Sequence, residues 1–161
     1  MPEPAVPPTA PYEADFYAWT QDQARRLREA AARVNLPLDF ENLAEEVESM
    51  GRSDARAVNS ALTRIIEHVL KLEYSPAREP RGGWEDSVSI QRDHALADLS
   101  DSPSLYGKID LAGAYRRALI VGKRGLGRDG IAPPKLPSEC PYTLDQLLDP
   151  DWWPASRHGL D

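Results

Sequence analysis

The sequence predicts an all-α protein, a helical bundle of about five helices plus a short C-terminal helix. Apolar residues recur at three- and four-residue steps through most of the chain, which is the spacing of one face of an α-helix. No segment shows the alternation and the β-branched enrichment of a strand. Proline, glycine and capping residues divide the chain into helices with short connections, as in bundles of antiparallel neighbours.

The first helix follows a proline-rich segment. Residues 1–11 contain five prolines, which disfavour both helix and sheet, so we expect a disordered tail there. An apolar stripe then begins at Tyr12 and continues to Val34, and Pro37 ends the helix. The start of this stripe also marks the start of a single helical domain, which is expected over residues 12–153.

The next two helices are expected to be separated by Gly51. Asp39 is a suitable N-cap for the first of them, which ends at Met50, and Gly51 stands where a left-handed C-terminal residue is common. Ser53 can cap the following helix, which should end at Pro76. Its apolar face is the widest in the chain and predicts the centre of the core. This face consists of Val58, Leu62, Ile65, Ile66, Val69 and Leu72.

Two further helices are predicted by similar signals. A fourth helix follows a loop rich in proline and glycine that ends at Gly83. Ser102 followed by Pro103 has the pattern of an N-cap and a first helical residue. We therefore expect a fifth helix to run from Pro103 to Gly122 or Gly127.

The end of the chain should contain one short helix. Thr143 and Gln146 have the spacing of a capping box. Trp152 and Trp153 are adjacent, so both indoles cannot face inward. Docking of this segment on the bundle is the preferred interpretation, and contact of the second indole with a partner is the alternative. Residues 154–161 are expected to form a loose C-terminal tail.

Composition restricts the functions that the chain can have. Acidic residues outnumber basic ones by 26 to 19, and the resulting charge of −7 opposes non-specific binding to nucleic acid or anionic membranes. No stretch approaches the length of a membrane span, and residues 1–11 do not have the basic-then-apolar order expected of a secretory signal. The single cysteine, Cys140, cannot form an internal disulfide. These observations predict a cytoplasmic protein without membrane partners.

A local basic patch departs from this acidic composition. Its five cationic residues lie in a stretch that contains no acid. They are Arg116, Arg117, Lys123, Arg124 and Arg128. The simplest interpretation is a solvated helix end, and weak nucleic-acid binding is the alternative. The net charge and the lack of a groove-reading motif argue against nucleic acid as a partner.

Three glutamates form the strongest candidate for a functional cluster. Glu41, Glu45 and Glu48 are spaced by four and three residues, so they share one flank of the second helix. Carboxylates gathered in this way repel one another unless a metal ion, arginines or water compensate. We expect arginine pairing, with Glu45 as the paired residue, and no metal.

Two histidines could extend this acidic cluster. His68 lies at the edge of the apolar face of the third helix, and His94 lies one turn before Asp98 on the fourth. If these helices pack together, His68 and His94 could converge with Glu45 or Glu48. A half-buried, hydrogen-bonded histidine is the more common situation. The Glu-x-x-His pairs of two-metal helical bundles are absent.

Three segments of the sequence resemble a known family. They are Tyr12-Glu13-Ala14-Asp15-Phe16-Tyr17-Ala18-Trp19, Glu41-Asn42-Leu43-Ala44-Glu45-Glu46-Val47-Glu48-Ser49-Met50-Gly51-Arg52-Ser53 and Cys140-Pro141-Tyr142-Thr143-Leu144. On these segments the chain is similar to the bacterial domain of unknown function 29 family. The resemblance implies an all-helical bacterial domain without an agreed activity, and it supplies no catalytic residue.

The leading functional hypothesis is therefore a non-enzymatic protein-interaction module. Its acidic second-helix flank, or a groove beside it, would receive a positively charged partner or a second copy of the chain. The alternative is a metal-dependent enzyme that uses the glutamates with His68 or His94. No phosphate-binding loop, dinucleotide fingerprint or zinc motif is present, and the sequence indicates no cofactor. Whether the protein is an enzyme stays open at this point.

Overall fold

The computed structural model describes residues 11–130, Ala132 and 136–160. This part of the chain contains five α-helices, one 3₁₀ helix and no strand. The helices are α1 Phe16–Ala31, α2 Phe40–Tyr74, α3 Arg81–Asp101, the 3₁₀ helix Pro103–Lys108, α4 Leu111–Arg128 and α5 Leu144–Leu148. The all-α prediction is confirmed. The expected disordered tail lies outside the described residues, apart from Pro11.

The described chain forms two compact units. The first contains the described residues up to Arg56 together with Asp98–Lys108, and the second contains Ala57–Ala97 and the described residues from Ile109 onward. Both α2 and α3 therefore contribute residues to each unit. The expectation of a single domain over residues 12–153 stays a prediction.

Asp15 determines where α1 begins. Its Oδ1 accepts hydrogen bonds from the Ala18 amide at 2.8 Å and from the Ser104 hydroxyl at 2.7 Å, and its Oδ2 accepts one from the Ser104 amide at 2.7 Å. Burial raises the pKa of Asp15, but these hydrogen bonds outweigh it and hold the pKa below its usual value. The helix therefore starts at Phe16, after this N-cap, and not at Tyr12.

The predicted break at Gly51 is wrong, because α2 is one helix of 35 residues. Gly51 lies inside it, buried against α1, and a Cβ atom there would overlap the Thr20 hydroxyl and contact Gln21. Glycine is needed at this position for the close approach of two helices, and not for a left-handed helix end. Sequence alone does not distinguish these two uses.

The predicted fifth helix is instead two helices. The 3₁₀ helix ends at Lys108, and Asp110 then caps α4 by accepting a hydrogen bond from the Gly113 amide at 2.8 Å. The hydroxyl of Ser102, predicted to be an N-cap, accepts a hydrogen bond from the Tyr17 amide at 2.9 Å. Two predicted helices form the single helix α2, and one predicted helix forms two. The described residues therefore contain six helices, the number that the sequence predicts.

The core of the second unit is the one that the sequence predicts. All six residues of the predicted apolar face are at most 2% exposed. Side chains from the other helices of the unit complete this core. They include Val88, Ala95, Tyr115, Ala118, Leu126 and Leu147, and Leu70 of α2 also belongs to the core. Burial of this apolar set contributes about 25 cal/mol for each Å² of apolar surface removed from water.

The C-terminal segment is held on α2. The capping box of α5 is present, with hydrogen bonds of 3.2 Å and 3.0 Å between Thr143 and Gln146. Beyond α5, the Arg157 amide and Nε donate to the Glu73 carbonyl and carboxylate, each at 2.9 Å. His158 Nε2 lies 3.0 Å from the Tyr74 carbonyl. The described part of the expected loose tail is therefore anchored.

Candidate interaction surfaces

The three glutamates of the predicted cluster are brought together in the first unit by an arginine of α1. Arg28 Nη2 lies 2.8 Å from Glu48 Oε2 and 3.6 Å from Glu45 Oε2, and Arg28 Nε lies 3.1 Å from Glu41 Oε1. The hydrogen bonds that Arg28 donates, first to Glu48 and then to Glu41, raise the pKa of Arg28. One guanidinium thus contacts all three carboxylates.

A second arginine completes this group, which we call the acid–arginine cluster: Arg28, Glu41, Glu45, Glu48 and Arg52. Arg52 Nη2 pairs with Glu45, and Arg52 Nη1 lies 3.5 Å from Glu48 Oε2. Two guanidinium groups therefore oppose three carboxylates. Because most of the acidic charge is matched within the unit, this flank offers little to a positively charged partner.

The two candidate histidines belong to the second unit, whereas the glutamates belong to the first. His68 is half-buried, and its Nδ1 lies 2.9 Å from the Arg64 carbonyl of its own helix. His94 is exposed on α3. Among residues 11–130, 132 and 136–160, no group of three or more His, Cys, Asp or Glu side chains could hold a metal ion. The described residues give the metal hypothesis no ligand set.

The predicted basic patch lies on the outer face of α4, and all five of its residues are exposed. Two aliphatic side chains, Ile120 and Val121, lie between the basic residues and are 60% and 46% exposed. Positions four residues apart on a helix are neighbours, so Arg116 adjoins Ile120, and Arg117 adjoins Val121. We call these seven residues the α4 face.

The charges of the α4 face have no partners in the described chain. Arg116, Lys123, Arg124 and Arg128 make no ion pair or side-chain hydrogen bond with any described residue. Arg117 donates a hydrogen bond of 3.4 Å to the Thr63 hydroxyl, which carries no charge. The α4 face thus combines five positive charges that are unpaired among the described residues with two exposed aliphatic side chains.

A groove of about 390 Å³ adjoins this face within the second unit. Residues of α2 line one wall and residues of α4 line the other. The lining residues are Ser60, Thr63, Arg64, Glu67, Arg117 and Val121. Glu67 is buried, and its carboxylate lies 2.8 Å from Lys71 Nζ, so its charge is matched. The positive charges of Arg64 and Arg117 therefore determine the net charge of the groove.

A larger cleft of about 470 Å³ lies beside Cys140. Tyr115 lines it and donates a hydrogen bond of 2.7 Å to the Pro137 carbonyl, and burial raises the pKa of Tyr115 to about 12. Burial also raises the pKa of the Cys140 thiol, which contacts the Tyr142 carbonyl at 3.4 Å. A thiol with a raised pKa is a poor nucleophile, which favours a structural role for this cysteine.

A second buried tyrosine ties the C-terminal segment to α2. Tyr142 donates a hydrogen bond of 2.6 Å to Glu73 Oε2, whose other oxygen accepts from Arg157. Burial, and then the interaction with Glu73, strongly raise the pKa of Tyr142. Tyr142 is therefore a neutral hydrogen-bond donor that supports the position of Arg157.

Sequence reasoning missed Arg92, which is 1% exposed. Its Nε donates to the Leu147 carbonyl and its Nη2 to the Trp152 carbonyl, each at 2.8 Å, and its guanidinium lies 4.8 Å from the centre of the Trp153 ring. Desolvation lowers the pKa of Arg92. Its position in the sequence could have revealed this burial, because Arg92 lies between Val88 and Ala95 at the helical spacing of the apolar stripe of α3.

These features define a class: an all-α protein with charged and apolar surfaces, whose described residues contain no cluster that could hold a metal ion. Within the described ranges, none of the helices combines the length and the apolar content needed to cross a bilayer. A model of the family described as Domain of unknown function DUF29 matches residues 11–153. The chain belongs to the DUF29 family, as the three sequence segments indicated.

One solved structure shares this fold. It is the crystal structure, at 1.45 Å resolution, of an alpha-helical protein of unknown function from Rhodospirillum rubrum ATCC 11170. That protein is 31% identical to this chain, and the match has a TM-score of 0.78 and covers 90% of this chain and 93% of the other. No curated protein matches the chain. The family and this relative confirm the fold and carry no assigned function.

Proposed function

We propose that the protein is a non-enzymatic protein-interaction module, and that the α4 face binds an acidic protein segment. The observation that carries this proposal is the set of five exposed cations that have no ion-pair partner among the described residues, on the same helix as exposed Ile120 and Val121. Charged side chains without partners on their own chain are available to a partner of opposite sign. Exposed aliphatic side chains among them supply the apolar contact that most protein interfaces contain.

The composition of this face favours a protein over a nucleic acid. Binding to nucleic acid depends mainly on phosphate contacts with lysine and arginine, and it gains little from aliphatic side chains at the centre of the surface. The net charge of −7 also repels a long polyanion, while a short acidic segment contacts only the local positive charge.

The same observations change which surface receives the partner. The acidic flank of α2 was the first choice from the sequence, but Arg28 and Arg52 already pair with its three glutamates. We place this interaction in a bacterial cytoplasm, because a protein with one cysteine fits a reducing compartment and the solved relative comes from a bacterium.

The test uses a synthetic helical peptide of about 20 residues, long enough to form a helix, with leucine at the a and d positions and glutamate elsewhere. We expect fluorescence anisotropy to show saturable binding that weakens as salt increases. Ile120→Ser should weaken binding at least about fivefold through lost apolar contact. Arg124→Gln should weaken it about two- to fivefold.

Matched variants elsewhere on the second unit serve as controls. Ile90→Ser removes an isoleucine of similar exposure, 52%, from α3, and Arg78→Gln removes an exposed charge outside α4. Neither should change the affinity. If the peptide does not bind while duplex DNA does, with no effect of Ile120→Ser, the proposal is replaced by nucleic-acid binding. Self-association through the α4 face in sedimentation velocity would replace it by a second copy.

A further inference from the structure

We propose that the groove lined by Ser60, Arg64 and Arg117 is a subsite for a phosphate monoester dianion, carried by a phosphorylated side chain of the acidic partner. This inference rests on the proposed function and adds to it the chemistry of one anchoring group. It follows from how Arg117 is held in the groove, from the charge that remains there, and from the position of the groove beside the α4 face.

Arg117 is held in place by α2 through its Nε. This atom donates to the Thr63 hydroxyl at 3.4 Å, and that hydroxyl donates to the Asn59 carbonyl at 2.9 Å. The two terminal nitrogens of Arg117 make no hydrogen bond with a described residue. They form a planar fork, the geometry that binds two oxygens of a phosphate group. Thr63 is thus a positioning residue for Arg117.

Two more donors line the same groove. Arg64 is exposed on α2 and makes no ion pair with a described residue, and Ser60 lies one helical turn before it with an exposed side chain. Glu67 does not cancel these charges, because Lys71 pairs with it at 2.8 Å. The groove therefore holds two positive charges. Its arginine and serine side chains offer at least five N–H or O–H donors that make no hydrogen bond with a described residue.

This charge distinguishes the possible anions. A phosphate monoester carries close to two negative charges at neutral pH, which match two guanidinium groups. A carboxylate or a phosphodiester carries one negative charge, so it leaves one guanidinium unmatched. The groove is thus more complementary to a phosphorylated side chain than to a glutamate or to the backbone of DNA.

The position of the groove indicates how such a side chain would arrive. Arg117 and Val121 line the groove and also belong to the α4 face. A segment lying on Ile120 and Val121 therefore passes the mouth of the groove. One phosphorylated side chain on that segment can enter it while the neighbouring acidic residues contact the remaining cations of α4.

The experiment titrates the full chain with phenyl phosphate and follows backbone and arginine side-chain signals by ¹H–¹⁵N NMR. We expect saturable shifts at Ser60, Arg64 and Arg117, and affinity at least about tenfold lower for dimethyl phosphate, a monoanionic diester. Arg64→Gln should weaken phenyl phosphate binding about tenfold. Thr63→Val, which releases Arg117 Nε, should weaken it less, and Arg78→Gln should leave it unchanged.

The result that overturns the subsite is an absence of saturable shifts at these residues, equal binding of the two phosphates, or an Arg64→Gln titration identical to that of the parent. Equal binding would point to a phosphodiester, and so to nucleic acid. The peptide assay contains no phosphate and tests the α4 face alone. If the peptide binds and phenyl phosphate does not, only the subsite fails. If phenyl phosphate binds and the peptide does not, the proposed partner fails.

Discussion

The two compact units differ in how they bury apolar surface. In the second unit, large aliphatic side chains from four helices are fully buried, among them Leu62 and Ile66 of α2. In the first unit, most of the buried positions between α1 and α2 are small, such as Ala24, Ala44 and Gly51. Small residues let two helices approach closely, but they remove little apolar surface from water.

The exposed side chains show the same difference. Among the described residues, seven of the eleven exposed large hydrophobic side chains belong to the first unit and four to the second. Those of the first unit are Tyr12, Val34, Leu36, Leu38, Leu43, Met50 and Tyr106. The first unit therefore depends more on polar contacts, such as those of Asp15 with Ser104 and of Arg28 with Glu48. We expect it to open at lower free energy than the second.

The largest expected effect tests this comparison directly. Leu62 is fully buried in the second unit, so Leu62→Ala should lower the free energy of unfolding by about 2–5 kcal/mol through lost burial and a residual cavity. Leu43 of the first unit is 44% exposed, and Leu43→Ala should cost less than about 1 kcal/mol. Urea denaturation measures both. Equal costs for the two variants would contradict the distinction between the units.

The next prediction concerns Gly51, where the first unit is tightly packed despite its few large buried side chains. Alanine improves helix propensity by about 1 kcal/mol, but its Cβ would overlap the Thr20 hydroxyl. That hydroxyl donates to the Tyr17 carbonyl at 2.7 Å and cannot move aside freely. We expect a net loss of about 1–2 kcal/mol for Gly51→Ala, because overpacking outweighs the helical gain.

Two controls separate overlap from helix propensity in that experiment. Apart from its chain neighbours and its own helix backbone, a Cβ atom at Gly127 in α4 meets no described atom within 4 Å, so Gly127→Ala should stabilise by up to about 1 kcal/mol. In a Thr20→Ala background, Gly51→Ala should cost less than in the parent, because the overlapping hydroxyl is gone. Stabilisation by Gly51→Ala in the parent would show that α1 can shift to accept the methyl group.

The parts of the fold that the sequence predicts well are those that depend on local spacing. Apolar periodicity identified the core residues of α2, and the spacing of Thr143 and Gln146 identified the capping box of α5. The errors occurred where a residue serves a distant partner. Gly51 makes room for Thr20, and the Ser102 hydroxyl binds the Tyr17 amide. Such contacts leave no periodic signal in the chain.

The candidate surfaces were predictable only in part. The basic residues of α4 and the glutamates of α2 are visible as charge patterns, and the pairing of Glu45 with an arginine was expected. Which charges have partners depends on Arg28, which is far from them in sequence. The groove required the pairing of α2 with α4, which no local pattern reveals. Assignment of the binding face to α4 therefore needed the structure.

The smallest expected effect is a pH-dependent change in the stability of the first unit, and it arises at Asp54. Asp54 of the first unit lies near Asp98 and Asp101, and its pKa is raised, first by desolvation and then by repulsion from these two carboxylates. Below the unfolded pKa, near 3.9, Asp54 is protonated in both states and does not affect stability. As pH increases, the unfolded chain releases its proton first. The folded state therefore loses stability as pH increases from the unfolded pKa through the raised folded pKa of Asp54.

Asp54→Asn removes that loss, so it should modestly stabilise the protein at pH 7.5, and the gain should shrink as pH falls toward 4. Urea denaturation at several pH values measures it, with Asp93→Asn, an exposed carboxylate of α3, as the control. Addition of 1 M salt should reduce the part of the gain due to Asp98 and Asp101, because salt screens repulsion, and should leave the desolvation part. If Asp54→Asn destabilises the protein at pH 7.5, the carboxylate is stabilised by its surroundings, and the first unit is held by charge at this position as well.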